Sequence, residues 1–299
     1  MLESVNISHT FYADTPFSRQ VLSGVELKLA PGEAVLLTGP SGSGKTTLAR
    51  ILAGLVKPTQ GNIRLKGVDL HATNGGPLPA KERIVLACQY PERQFFANTV
   101  WDELSWGLRV GLGMASGEIV NRLSSIAEDL AFPLEELAER SPKALSSGQQ
   151  RKAALASLLV LEPRVLLLDE PLAGLNAKER KRLSSLLQDW AKHNRTMLII
   201  AHELELFLGW VEKVAVMERG QIIFWGSPDE LCQSTDPNVR EAACLPLMAE
   251  LSFFLKQSGL STGPVTSDGP LVRRQLQEVL TKKKRDSVHT PKKDPPLTS

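Results

Sequence analysis

One stretch decides the fold of this chain: Gly39-Pro40-Ser41-Gly42-Ser43-Gly44-Lys45-Thr46, followed by Thr47. It fits the pattern G-x-x-x-x-G-K-[ST] of a phosphate-binding P-loop. The apolar run at 34–37 predicts a buried strand before the loop, and residues 47–53 predict a helix after it. Because a P-loop lies between a strand and a helix, these flanks agree with the motif.

Each residue type in the loop has a chemical reason. Glycines let the backbone curl so that successive N–H groups point at one anion, and the helix start adds the positive end of its dipole. Lys45 is suited to reach the β- and γ-phosphates of a nucleotide, and the Thr46 hydroxyl is suited to bind Mg²⁺. The alternative is a glycine-rich turn with an incidental lysine, which the four fixed residues and the flanks disfavour. The loop alone leaves open which phosphate chemistry it serves.

The bulk composition is that of an ordinary globular protein with one large domain or two smaller ones: 299 residues, 42% apolar and 23% charged. A net charge of +2 gives no case for nucleic-acid binding. Three cysteines, an odd and sparse set, predict reduced thiols. No apolar run approaches the roughly 18 residues of a membrane span, and the first residues lack the pattern of a signal peptide. Any membrane connection is therefore expected to run through a partner or a surface contact.

Charge is uneven along the chain. Residues 282–299 carry six Lys or Arg against two Asp, whereas the remainder carries 29 against 31. Because this end also has three prolines and few apolar residues, we predict a disordered basic tail over 282–299. Contact with anionic lipid is one interpretation of the tail, and a solvated end is the favoured one.

Buried-strand patterns at 84–88, 165–168 and 197–200 alternate with helical patterns along the middle of the chain. This alternation predicts an α/β fold with a mainly parallel sheet. From about residue 227 the pattern changes to helices alone, predicted at 228–232, 239–256 and 271–280.

Functional candidates follow the predicted strands. Gln89 ends the first of them, Asp169 and Glu170 end the second, and His202 follows the third. Because ligands of open α/β sheets bind at the carboxyl ends of the strands, we expect these residues and the P-loop to form one site.

The acidic pair fits the Walker B pattern, in which a rigid strand presents a carboxylate, here Asp169, to the Mg²⁺ shell. Glu170 is suited to orient or deprotonate an attacking water. A helix cap or a solvated turn is the alternative for an acidic pair at a strand end. Beside a P-loop we favour the functional interpretation.

Residues 145–152, Leu-Ser-Ser-Gly-Gln-Gln-Arg-Lys, resemble the LSGGQ signature of ABC ATPases, and their distance from the P-loop and from Asp169 also fits. A small-residue loop that opens a helix offers hydroxyl and N–H donors to a phosphate. The alternative is a plain helix N-cap built by Ser146 or Ser147. The resemblance implies that nucleotide is bound by the four signature residues Ser146, Ser147, Gly148 and Gln149.

The same resemblance implies roles for single residues. Gln89 resembles the Q-loop glutamine, which contacts Mg²⁺ or the water, and His202 resembles the switch histidine that holds the γ-phosphate. Phe11 or Tyr12 resembles the aromatic that stacks on adenine; a core or loop aromatic is the alternative, and the choice between the two stays open. Together with Lys45 and Glu170, Gln89 and His202 are the expected catalytic set, and the expected Mg²⁺ ligands are Thr46, Gln89 and Asp169.

The implied architecture is an α/β, P-loop NTPase ABC ATPase core: a mainly parallel sheet, an antiparallel β subdomain, a helical subdomain, and a small C-terminal helical extension. We place the nucleotide-binding domain at 1–226, its helical subdomain at about 90–160, and the extension at 227–281. In this family two ABC domains face each other head to tail, and each ATP lies between the P-loop of one and the signature of the other. One P-loop and one signature therefore imply a second ABC subunit, identical or related.

A narrower resemblance lies in residues 89–100, Gln-Tyr-Pro-Glu-Arg-Gln-Phe-Phe-Ala-Asn-Thr-Val. They resemble the ATPases of energy-coupling factor (ECF) transporters, which import cobalt, nickel or vitamins. The resemblance implies that Phe95 and Phe96 contact a membrane scaffold subunit; packing inside the helical subdomain is the alternative. Residues 226–231 and 245–249 resemble the C-terminal extension through which such ATPases dimerise.

Two positions depart from the family pattern. Ser147 replaces the second glycine of LSGGQ, and Asn176 replaces the usual aspartate of the D-loop at 173–176. Both changes bear on the opposite site of a dimer, so an asymmetric heterodimer is one interpretation of them.

The resemblance implies a peripheral protein at the cytoplasmic face of the cell membrane that hydrolyses ATP with Mg²⁺. Its expected partners are a second ATPase, a transmembrane scaffold and a separate substrate-capture membrane protein. No nucleic-acid partner is expected. Two rivals remain: a regulatory or weakly hydrolysing subunit, motivated by Ser147 and Asn176, and an ABC ATPase of repair or translation. The second rival is disfavoured because such proteins generally carry coiled-coil insertions or tandem ABC domains.

Overall fold

The structure is a computed structural model that describes residues 1–71, 84–89, 95–260 and 265–288, with side chains up to residue 280. Ten strands form two sheets in the described part of the chain. The strands are β1 (Leu2–Phe11), β2 (Arg19–Leu29), β3 (Ala34–Thr38), β4 (Gln60–Leu65), β5 (Val68–Asp69), β6 (Ile84–Ala87), β7 (Val165–Asp169), β8 (Thr196–Ile200), β9 (Lys213–Glu218) and β10 (Gln221–Gly226).

The described α-helices fall into three groups: two that pack on the second sheet, a helical group between β6 and β7, and a C-terminal group. They are α1 (Lys45–Leu52), α2 (Val100–Trp106), α3 (Ser116–Asp129), α4 (Leu134–Leu137), α5 (Ser147–Leu159), α6 (Ala177–Lys192), α7 (Pro228–Gln233), α8 (Pro237–Ala243), α9 (Leu247–Gln257) and α10 (Gly269–Val288). No helix of these described segments combines the length and the apolar character needed to cross a membrane.

The second sheet positions the site. Its strand order is β10-β9-β3-β8-β7-β6, and every pair from β9 to β6 is parallel. All residues of β3, β7 and β8 are buried, as expected for parallel strands covered on both faces. Thr38, Asp169 and Ile200 therefore end neighbouring strands at one edge of the sheet.

The first sheet is antiparallel, in the order β2-β1-β4-β5. Its apolar face shares a core with α1 and one face of the parallel sheet, including Leu2, Leu22, Leu48 and Leu52. A larger core joins the other face of the parallel sheet to the helices. The expected α/β fold, with a mainly parallel sheet, an antiparallel β subdomain and a helical subdomain, is confirmed.

The C-terminal end differs from prediction in two places. The single helix expected over 239–256 is two helices, because Cys244 adopts left-handed backbone (φ 50°) at the end of α8 and Pro246 precedes α9. The tail expected to be disordered from 282 continues helix α10 to Val288. Lysine and arginine are good helix formers, so a low apolar content does not by itself end a helix. Residues 289–299 lie outside the described part.

Candidate functional site

A cavity of about 650 Å³ opens where the P-loop meets the carboxyl ends of β7 and β8. It brings together most of the residues that the sequence singled out. The lining residues are Phe11, Tyr12, Phe17, Arg19, Val21, Ser41, Gly42, Gly44, Lys45, Thr46, Thr47, Gln89, Asp169, Glu170 and His202.

The P-loop curls around the Lys45 side chain. The ammonium donates to the carbonyl oxygens of Gly39 at 2.8 Å and Pro40 at 2.9 Å, and lies 3.4 Å from Ser43 Oγ. Burial lowers the pKa of Lys45, while Glu170 and Asp169 act in the opposite direction. A buried cation thus sits at the base of the loop, and anionic oxygens in the cavity would be its natural partners.

Gly39 is required by a close approach of two backbones. Its φ is 144°, and a Cβ at this position would lie 2.0 Å from the Met217 carbonyl oxygen on β9. A side chain here would therefore push the P-loop away from the sheet. Gly39, Pro40 and Ser43 shape the loop from behind, since they do not line the cavity.

Asp169 is the last residue of β7 and is buried. Burial raises the pKa of its carboxyl group, and a hydrogen bond with the Thr46 side chain and the charge of Lys45 oppose that rise. This bond brings the hydroxyl of the P-loop threonine and the strand carboxylate to one point of the cavity.

Glu170 has left-handed backbone, with φ 52°, which is uncommon for a residue with a side chain. Its N–H donates to the Ile200 carbonyl oxygen at 2.9 Å. Burial raises the pKa of its carboxyl group, and the neighbouring Asp169 charge adds to the effect. A carboxylate whose proton affinity is raised in this way is suited to act as a general base.

His202 lies beside Glu170: its Nε2 is 3.3 Å from Glu170 Oε1. That oxygen is buried and has no hydrogen-bond partner among the described residues. Burial lowers the pKa of His202, and the Lys45 charge lowers it further, so the imidazole is mostly neutral at pH 7. A neutral imidazole can donate one hydrogen bond to a phosphate or accept one from a water.

The donor set fits Mg²⁺. Thr46, Gln89 and Asp169 line the cavity and offer hydroxyl, amide and carboxylate oxygens, the hard ligands that Mg²⁺ prefers. No group of three His, Cys, Asp or Glu in the described segments is placed to hold a metal ion without other ligands. Mg²⁺ usually completes its shell with water and with phosphate oxygens.

Both candidate aromatics line the cavity but differ in support. Phe11 is 37% exposed, and its ring packs edge-on against His9 with centroids 4.6 Å apart. Tyr12 is 73% exposed and has left-handed backbone. Phe11 is therefore the better anchored of the two.

The signature residues lie away from this cavity. Ser146 is the N-cap of α5, where its Oγ accepts from the Gln149 N–H at 3.3 Å while Gln149 Oε1 accepts from the Ser146 N–H at 3.0 Å. Ser147 is exposed, so its added side chain is not crowded within this chain. A Cβ at Gly148 would meet nothing within 4 Å. The signature loop thus presents an open surface outward.

Sequence reasoning did not single out Phe17, Arg19 and Val21 as site residues, although all three line the cavity. They lie on β2 or just before it, and the pairing of β1 with β2 brings them beside Phe11. An arginine at a strand start carries no motif signal, because its nearness to the P-loop comes from tertiary structure.

Of the predicted membrane-contact stretch, Tyr90 to Gln94 lie outside the described residues. Phe95 is buried in the core, whereas Phe96 is 63% exposed and stacks edge-on against Trp106 at 5.2 Å between centroids. Of the two phenylalanines, only Phe96 is available at the surface.

Comparisons with known proteins show which family the sequence and the fold resemble. The sequence model of the ABC transporter family matches residues 22–173. The chain is 34% identical over 241 residues to the energy-coupling factor transporter ATP-binding protein EcfA2 of Thermotoga maritima, a match that covers 79% of this chain and 86% of that protein.

Solved structures agree. The structure of cbiO1 from Clostridium perfringens, part of the ABC transporter complex cbiONQ, matches with a TM-score of 0.64 and 27% identity, over 86% of this chain and 96% of that one. A dimeric ATP-binding cassette in a post-hydrolysis state, bound to ADP and Pi, matches with a TM-score of 0.68 and 24% identity, over 76% of this chain and 99% of that one. The latter likeness concerns the fold.

Proposed function

The chain belongs to the ABC transporter family, and from this premise we propose that it is the ATP-hydrolysing subunit of an energy-coupling factor importer. The observation that carries the proposal is the meeting of Lys45, Glu170 and His202 in one cavity at the carboxyl edge of the parallel sheet. The relatives' name supplies the transporter type. In such a system the solute, a vitamin or a transition-metal ion, is captured by a separate membrane protein.

The residues support a division of labour in hydrolysis. Lys45 and the P-loop N–H groups hold the β- and γ-phosphates and stabilise the charge that develops on the transferring phosphoryl. Glu170 accepts the proton of the attacking water, which its raised pKa favours. His202, mostly neutral at pH 7, lies beside Glu170 and orients the γ-phosphate and the water.

Mg²⁺ would be held by Thr46, Asp169 and Gln89 together with phosphate oxygens. When bound, it neutralises charge on the β- and γ-phosphates. The chain's own contribution is to place the hydroxyl of Thr46 and the carboxylate of Asp169 together, as their hydrogen bond does.

The site is half of a composite one. The signature loop of this chain does not line its own cavity, and Ser146 and Ser147 are exposed. We infer that a second ATPase subunit contributes its signature to this P-loop, as the dimeric state of the cassette with the same fold suggests. Apolar residues exposed on the C-terminal helices, Leu247, Met248 and Phe254, are suited to contact that subunit.

The membrane partner is proposed to dock at Phe96 and Trp106. Their rings are in contact and both are exposed, with Val110 exposed one turn beyond Trp106. In sequence, Phe96 comes shortly after Gln89. Exposed aromatic clusters of this kind mark partner sites. This docking would hold the chain at the cytoplasmic face of the membrane.

The test is co-purification from detergent-solubilised membranes, followed by ATP turnover of the complex. The wild-type chain is expected to bring down a transmembrane scaffold and to hydrolyse ATP. Phe96→Asp with Trp106→Ala should lose the scaffold and keep ATP binding, whereas Val120→Asp, an exposed apolar position on α3, should keep both. Recovery with soluble repair or translation factors would contradict the proposal, and a scaffold-bound chain without turnover would favour a regulatory subunit.

A further inference from the structure

Arg151 has no assigned role so far, yet it is among the most buried charged residues of the described chain, at 4% exposure. It lies on α5, five residues after the N-cap Ser146. Its guanidinium does not face the cavity, because Arg151 is absent from the lining. A buried charge is costly to desolvate unless hydrogen bonds compensate for the lost water.

The partners of Arg151 include backbone carbonyls from separate segments. Nη1 donates to Gln89 O at 2.8 Å and lies 3.4 Å from Cys88 O, and Nε donates to Ala173 O at 3.2 Å. Nη2 donates to the carbonyl oxygen of Glu170. The planar guanidinium, with five donors in a fixed fork, can hold several acceptors at fixed mutual positions.

Each of these segments carries part of the hydrolytic machinery. Gln89 follows β6 and offers an Mg²⁺ ligand, and Glu170 is the proposed base. Ala173 opens the D-loop that leads to α6. The left-handed backbone of Glu170 is a conformation that persists only where the surroundings hold it, and Arg151 binds the carbonyl of that same residue.

We propose that Arg151 is a positioning residue for ATP hydrolysis: it fixes the backbone of Gln89 and Glu170 relative to each other, so that both side chains face the γ-phosphate. The inference rests on the proposed function. Arg151 also joins α5, which begins with the signature loop, to the hydrolytic groups of the same chain.

The test compares Arg151→Met and Arg151→Lys with a matched control, Arg182→Met. Arg182 on α6 is exposed, unlike Arg151, but it also donates to two backbone carbonyls, those of Asp129 and Glu128, and does not line the cavity. Methionine keeps the length and loses every donor. Lysine keeps the charge but not the planar fork, so it should restore only part of the function.

Arg151→Met in the scaffold-bound complex should lower kcat about 10- to 100-fold, the loss expected from a small misplacement of reacting groups. The dissociation constant for ATP should change less than about 3-fold, because the P-loop is untouched and uniform binding is kept. Arg182→Met should leave both constants near those of wild type. Melting temperatures and hydrogen exchange of the segments around 88–89 and 170–173 separate local loosening from global unfolding; if Arg151→Met unfolds, Arg151→Lys decides.

A double-mutant cycle gives a readout that a purely structural arginine would not change. In the Glu170→Gln background, Arg151→Met should have little further effect on kcat, because the group it positions is already gone. Full additivity of the two losses would overturn the inference. The inference would also be overturned if folded Arg151→Met hydrolysed ATP with the same kcat as an active wild type. That result would leave the proposed function standing. If wild type itself did not hydrolyse ATP, the proposed function would be overturned as well.

Discussion

Glu170 is the residue at which backbone, charge and chemistry meet. Its backbone is left-handed directly after β7, and its Oε1 lies 3.3 Å from His202 Nε2. The charge of Asp169 adds to the rise in the pKa of its carboxyl group. The protein thus keeps a desolvated carboxylate beside a second one. This arrangement is unfavourable for stability and favourable for accepting a proton.

That conflict predicts a pH-dependent stability difference. The pKa of Glu170 is raised above its ordinary value of 4.5, so its contribution to stability is present below pH 4.5 and is lost as pH rises through the raised pKa. Glu170→Gln mimics the protonated form at every pH. Without nucleotide or Mg²⁺ at pH 7.5, the Tm of Glu170→Gln should therefore exceed that of wild type.

Calorimetry between pH 4 and pH 8 checks this prediction. The Tm difference should shrink toward acid, where wild type is protonated as well. Equal Tm values across the range, or a less stable variant at pH 7.5, would show that burial of the ionised carboxyl group has no net cost.

The two aromatics at the end of β1 are expected to contribute unequally to ATP binding. Phe11 is held by His9, so it loses little freedom when a base stacks on it, whereas Tyr12 is largely exposed. Phe11→Ala should weaken ATP binding by about 1–3 kcal/mol, the range for base–aromatic stacking. Tyr12→Ala, the matched control, should have a smaller effect, and titration calorimetry measures both; the reverse order would assign the stacking role to Tyr12.

At the scale of elements, Asn176, which replaces the usual D-loop aspartate, still caps helix α6. It is the N-cap of α6: its Oδ1 accepts from the Glu179 N–H at 3.0 Å, and Glu179 Oε2 accepts from the Asn176 N–H at 3.1 Å. Asparagine and aspartate are about equally good caps. The substitution therefore removes a charge without loosening the helix.

Asn176→Ala should accordingly lower stability by about 1 kcal/mol, and Asn176→Asp should leave it unchanged. Thermal unfolding of the three proteins at one pH checks this. An alanine variant as stable as wild type would mean that the capping box does not hold α6, and a destabilised aspartate variant would mean that the added charge meets others nearby.

Elements whose local sequence pattern determines them were predictable, whereas positions set by tertiary contacts were not. β3, β7 and β8 are continuous apolar runs because both faces are covered. The break between α8 and α9 was missed because Ala243 and Leu247 on either side are good helix formers. Arg19 and Arg151 were not predicted as site residues for a similar reason, because contacts with distant segments of the chain determine where they lie.

At the scale of the whole molecule, the proposed ATP site is half of a composite site that a second subunit completes. One cavity is lined by Lys45, Glu170 and His202, the proposed phosphate-binding and hydrolytic groups. The signature loop faces outward, and apolar side chains are exposed at Phe96 with Trp106 and on the C-terminal helices. In the proposed function each outward feature serves a different partner: a second ATPase for the signature and the C-terminal helices, and a membrane scaffold for the aromatic pair.

The most direct measurement is ATP turnover by the scaffold-bound complex that contains wild-type chain or Glu170→Gln. The variant should lose at least about 100-fold in kcat, the usual scale for removing a general base, and should retain ATP in a stable dimer, because the P-loop is intact. Unchanged turnover in Glu170→Gln, with the mutant chain verified in the complex, would contradict the assignment of this cavity as the hydrolytic site.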